Sequence, residues 1–215
     1  MNAPLNTQTL SAFTDRLWDD EIVPALHRYI EVPAKSPMFD ADWSKNGYVD
    51  RVVRDAASWV EGKKLSGLKL EVIRLEGRTP VILFEIPATS GRRAAPSPDT
   101  PPRGADAEGD VGASSSGSTD TVLLYGHLDK QPEFNGWRND LGPWTPKYVD
   151  GLLYGRGGAD DGYAVYASLT AIMALDKLGI PRPRCVGIIE SCEESGSFDL
   201  PAYIDALKPR LGNVS

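Results

Sequence analysis

Histidine and cysteine are scarce, with two of each in 215 residues. With only His27 and His127 available, imidazole can make up little of any metal site. Cys185 and Cys192 stand seven apart in one run that reads as a strand, a spacing that fits neither a disulfide framework nor a zinc knuckle. A reducing cytoplasm is the default expectation for such a chain. Basic residues are in deficit: 23 Lys and Arg against 30 Asp and Glu, a formal net charge of −7. A nucleic-acid partner normally demands the opposite balance, so none is expected. No apolar run approaches the ~18 residues of a membrane span, and no membrane partner is expected. The opening MNAPLNTQTLSAF has no cationic flank leading into an apolar core, so no signal peptide is read there. The composition is 41% hydrophobic and 25% charged, which suits one soluble globular domain.

The first third reads as helical. Leu10, Phe13 and Leu17 recur at helical spacing, as do Leu26, Tyr29 and Ile30, with Pro24 breaking the run or beginning a second helix. Val49, Val52, Val53, Ala56 and Val60 form an amphipathic stripe that ends near Gly62. The period then becomes two. Leu68, Leu70 and Val72 alternate with Lys69 and Glu71, and after a turn at Gly77 and Pro80 the run 81–86 completes a hairpin.

Residues 90–119 hold no aromatic residue, no Leu, Ile or Met, and a single Val111. Such a stretch buries too little to offset its ordering entropy, and it is expected to be a disordered insertion at a loop tip. The strand pattern stops at Ile86 and resumes at Thr121, as if one sheet had been interrupted. From there TVLLYGH predicts a buried strand, 162–178 a well-covered helix closed by Gly179 and Pro181, and 185–191 a further strand. Strand, helix, strand at this spacing predicts a right-handed parallel crossover, with sites beyond the carboxyl ends of the strands.

Three acidic clusters fall there. His127 and Asp129 lie two apart in extended chain, so both side chains project to one side and the acid is placed to orient the imidazole. Asp160 and Asp161 sit in a glycine-rich turn before the helix. Asp161 reads as an N-cap, while the repulsion of the pair would be relieved by a cation. Glu193 and Glu194 follow an apolar strand and are placed to divide labour, one binding metal and the other moving a proton. Carboxylates with one imidazole suit Zn²⁺, or Mn²⁺ and Co²⁺.

In order and spacing, YGHLDKQPE, the stretch through PWTPKYVDGLLYGRGGADDG, and ESCEESGS resemble the co-catalytic zinc metallopeptidases. That family includes carnosine-type dipeptidases, acetylornithine deacetylases, succinyl-diaminopimelate desuccinylases and aminoacylases. YGHLD followed by Gln-Pro looks most like the dipeptidase branch. The resemblance implies an α/β, three-layer zinc-peptidase-like catalytic domain with a mostly parallel sheet. It implies two divalent metal ions, most simply zinc, with His127 on one, Glu194 on the other and Asp160 bridging, often with a cis peptide after it. Asp129 would support His127, and Glu193 would be the general base. Gly162-Tyr163 stands where Lys-Gly is frequent, a branch difference. His27, beside Arg28 in the helical start, reads as a surface or packing residue.

Relatives continue further, with another acidic ligand, a late metal histidine and a lid or dimerisation domain. By resemblance, residues 1–215 are therefore the N-terminal part of a longer enzyme, its catalytic domain truncated at the C-terminus, without the domain through which relatives dimerise. The implied substrate is a dipeptide or an N-acyl amino acid. The competing expectation is a catalytically inert remnant, and this chain alone is expected to turn over poorly.

Overall fold

The computed structural model describes residues 7–89 and 120–214. The insertion expected at 90–119 lies outside the described residues. Helix α1 (Thr7–Leu17) runs through a π-helical turn, Trp18–Ile22, into α2 (Val23–Ile30). Pro24 lies in the first turn of α2, directly after the π-helical turn, where the register of the helix changes. A single turn, α3 (Trp43–Asn46), precedes α4 (Tyr48–Gly62), whose five stripe residues are all buried. Each buried valine there contributes about 1.5–3 kcal/mol, far more than helix propensity supplies.

Strands β1 (Lys69–Ile73) and β2 (Val81–Ile86) form the expected antiparallel hairpin. Next come β3 (Asp120–His127), a small hairpin of β4 (Lys147–Val149) and β5 (Leu152–Tyr154), and α5 (Ala164–Leu178). The chain continues through β6 (Arg184–Glu190), α6 (Leu200–Leu211) and a two-residue β7 (Asn213–Val214). The main sheet has the order β1-β2-β6-β3-β7. β3 runs parallel to β6 across the α5 crossover, as the spacing predicted.

Four of the five strands run in one direction, and β2 alone runs against them: β1 with β2 and β2 with β6 pair antiparallel, whereas β6 with β3 and β3 with β7 pair parallel, which makes the sheet mixed. One expectation needs correction: 121–127 is not buried throughout. Val122 and Tyr125 are exposed, because β7 pairs with β3 only at Asp120 and Thr121.

The layers follow from strand alternation. Ile82, Phe84, Ile86 and Ile189 face one way and pack with α1, α2, α4 and α5. Val81, Leu83, Val186 and Ile188 face the other way and meet Tyr203, Leu207 and Leu211 of α6. Asp199, just ahead of α6, ties that helix to the hairpin. Its carboxylate accepts from the Thr79 amide at 2.9 Å and from Arg78 at 2.8 Å. His127 and Glu190 are register partners at the carboxyl ends of β3 and β6, which places the acidic segments at one end of the sheet.

Candidate metal centre

His127 is buried at the end of β3, and its ring is fixed from both sides. Nδ1 lies 3.1 Å from the Asp129 carbonyl and 3.5 Å from the Asp129 carboxylate. With Nδ1 donating its proton to that carbonyl, Nε2 is the nitrogen that a metal ion would bind in place of a second proton. Nε2 points at Asp160, 3.4 Å away, and at Glu193, 3.6 Å away. Burial works against charge on the ring, but Asp129, Glu193 and Asp161 outweigh it and hold the pKa up at about 9. The cluster is thus strongly electronegative.

Donor atoms of His127, Asp160 and Glu194 lie within 4.8 Å of one another. They arrive from the end of β3, from the turn before α5 and from a 3₁₀ turn, Glu193–Ser195, after β6. The peptide joining Asp160 to Asp161 is cis. Glu194 Oε1 is buried without a hydrogen-bond partner among the described residues, while Gln131 donates to its Oε2. Burial raises the Glu194 carboxyl pKa, with the neighbouring acids Asp160 and Asp129 adding to the effect. An orphaned carboxylate oxygen beside an imidazole nitrogen and a second carboxylate is a donor set that fits a divalent cation.

Asp129 does more than flank the His127 ring. Its fully buried carboxylate accepts the amide hydrogens of Glu193 at 3.1 Å and Glu194 at 3.0 Å. The ring is met most closely by its backbone carbonyl instead. One residue therefore fixes both the histidine and the turn that carries the glutamates. Asp161 is not the N-cap of α5: its Oδ2 faces the His127 amide at 3.4 Å, and the residue before α5 is Tyr163, which makes no side-chain cap bond. His27 stays apart, half exposed and 3.7 Å from Glu31.

Gly162 has no room for a Cβ because the buried ring of Tyr29 fills that space. The Tyr29 hydroxyl donates to the Leu128 carbonyl at 3.1 Å, one residue from the histidine. Spacing alone did not reveal Lys130. It is fully buried, and its ammonium donates to the carbonyls of Tyr29 and Val32 at 2.7 Å and of Ile30 at 3.4 Å. It thereby caps the end of α2. Ser195, directly after Glu194, is held by Ser36 Oγ at 2.5 Å and by the Met38 amide at 2.9 Å.

Residues 123–214 match peptidase family M20/M25/M40. The matched segment runs from within β3 to β7 and contains all three donors. Among curated proteins it is 40% identical over 94 residues to the human Beta-Ala-His dipeptidase, covering 42% of this chain and 18% of that protein. It is 44% identical over 89 residues to a Cys-Gly metallodipeptidase of Candida albicans, covering 39% and 18%. A succinyl-diaminopimelate desuccinylase of Anaplasma marginale is 37% identical over 77 residues, covering 36% and 19%. The likeness in fold extends further. The crystal structure of human carnosine dipeptidase 1 superposes with a TM-score of 0.66 at 24% identity, over 99% of this chain and 41% of its own. The dipeptidase Dug1p of Saccharomyces cerevisiae gives 0.60 at 22% identity, over 94% and 38%. The fold is the one these two dipeptidase structures have in the matched part, and the chain spans less than half the length of either.

Proposed function

We propose that the protein is a metal-dependent hydrolase of dipeptidase or carboxypeptidase type, which cleaves an amide bond. The observation that carries this reading is the meeting of His127, Asp160 and Glu194, from three separate segments, within 4.8 Å. These residues would hold two divalent ions, zinc or else manganese or cobalt, with Asp160 shared between them. When bound, such ions polarise an amide carbonyl and acidify a water molecule for attack. The chain's own residues supply the remainder. Glu193, its side chain 41% exposed, faces the cluster without being one of its three mutually close donors. Its carboxylate is free to take a proton and return it to the leaving nitrogen. Asp129 keeps the Glu193 and Glu194 amides and the His127 ring in fixed relation.

A dipeptide is the favoured substrate, because the dipeptidase relatives are the more similar ones. The desuccinylase relative supports an N-acyl amino acid as the second class. The 215-residue protein, loaded with Zn²⁺, Mn²⁺ or Co²⁺, is assayed against both panels beside Glu193→Ala, and bound metal is counted after dialysis. The reading expects metal retention that Asp160→Ala abolishes, and slow amide cleavage that Glu193→Ala removes. Failure to retain any of the three metals would refute it.

A further inference from the structure

Glu190 closes β6 and is 1% exposed, yet it pairs with no cation among the described residues. Its Oε1 accepts from the Tyr125 hydroxyl at 2.5 Å and from Ser197 Oγ at 2.8 Å. Its Oε2 is buried with no hydrogen-bond partner among the described residues. Tyr125 belongs to β3, two residues before His127, whereas Ser197 ends the turn that bears Glu193 and Glu194. Glu190 is also the register partner of His127, and its carbonyl accepts the Leu128 amide at 2.9 Å.

The turn has anchors at both ends. Asp129 holds its entry through the amides of Glu193 and Glu194. Its exit is Ser197, a non-glycine residue at φ 53°, whose amide returns to the Cys192 carbonyl at 2.9 Å. A serine in the left-handed region is sterically disfavoured. The side-chain bond to Glu190 opposes that cost and fixes where the turn ends. A buried carboxylate with one oxygen unpartnered is itself expensive, so this arrangement does more than fill space.

We propose that Glu190 is a positioning residue for the metal centre: through Tyr125 and Ser197 it locks the exit of the glutamate turn to β3, and so sets the distance from Glu194 to His127. This rests on the metal-centre reading above. Glu190 itself touches neither metal nor substrate.

The test measures Zn²⁺ affinity and the visible absorption of the Co²⁺-loaded protein, with Tm of the metal-free protein recorded alongside. Glu190→Ala should weaken Zn²⁺ binding by ~10-fold or more, the usual effect of losing an outer partner of a ligand, and should change the Co²⁺ bands. Glu190→Gln, whose amide oxygen can accept both hydroxyls, should restore both readouts. If Glu190→Ala fails to fold, Tyr125→Phe and Ser197→Ala each cut one arm and should move the same readouts in the same direction. A fall in Tm with Zn²⁺ affinity and Co²⁺ bands unchanged would overturn the proposal, as would a Gln variant as impaired as the Ala variant. His127→Ala separates the two claims. If it abolishes binding while the Glu190 variants do nothing, only the positioning role is lost. If it too leaves binding unchanged, the metal-centre reading has failed.

Discussion

Lys130 is a buried cation whose partners are peptide carbonyls instead of a carboxylate. Its burial pushes the ammonium pKa well below the usual lysine value, and the three carbonyls at the end of α2 offset that cost. Lys130→Met would fill the space but leave those carbonyls orphaned. We expect a stability loss of roughly 3 kcal/mol, at about 1–3 kcal/mol per buried unsatisfied group, read as a lower urea midpoint with an unchanged slope. The two cysteines behave in the opposite sense, as inert packing. Both are free and buried, and burial raises each thiol pKa, that of Cys192 to about 12. A raised pKa keeps the thiol protonated at pH 8, and the thiolate is the reactive form. Iodoacetamide at pH 8 should therefore modify neither thiol in the folded protein and both after denaturation; rapid labelling of the native form would contradict the packing role. The expectation that these residues form no disulfide needed only their spacing. Lys130 was not legible, because its partners are backbone atoms about a hundred positions away that carry no side-chain signature.

At the level of strands and helices, close approach replaces charge as the deciding term. Gly187 in β6 is the register partner of Phe84 in β2, and the phenyl ring occupies the space that a Cβ would need. Gly187→Ala should cost about 1–3 kcal/mol by overpacking, and Phe84→Leu in the same chain should recover part of that loss. Thermal melts of the two single variants and the double variant check it; additive losses would mean that the ring is not what the new methyl meets. How far an element could be read from sequence depended on where its partners lay. The α4 stripe was plain because its valines all face one packed surface. The crossover was plain because strand, helix and strand follow in order. α6 was overlooked, although Leu200, Tyr203, Leu207 and Leu211 recur at helical spacing, because Pro201 and Pro209 interrupt the run. The reversed direction of β2 in the sheet was not legible, because β2 pairs with β6 across about a hundred residues of sequence, a choice that no local period encodes. The three ligand candidates were legible as motifs, whereas the second task of Asp129 appears only once the 193–195 turn is folded against it.

For the molecule as a whole, the sheet has two unlike ends. His127 and Glu190 mark one of them. At the other, Ile86 and Val122 both stand across from Cys185, one on each side of β6. Two strand spacings of ~4.8 Å put them about 10 Å apart, a gap that six residues cross easily at ~3.3 Å each. Replacing residues 90–119 with a six-residue Gly/Ser linker should therefore leave Tm unchanged or a few degrees higher, since each halving of a loop saves about 0.6 kcal/mol. A fall of more than about 5 °C, well over 1 kcal/mol at this size, would show that the segment packs on the domain. The same geometry has a practical side. An affinity tag or surface tether spliced between Thr89 and Asp120 would leave from the end of the sheet away from the carboxylates. The molecule could then be immobilised with its chemistry facing the bulk solution, and substrate could reach it as freely as it reaches the untethered protein.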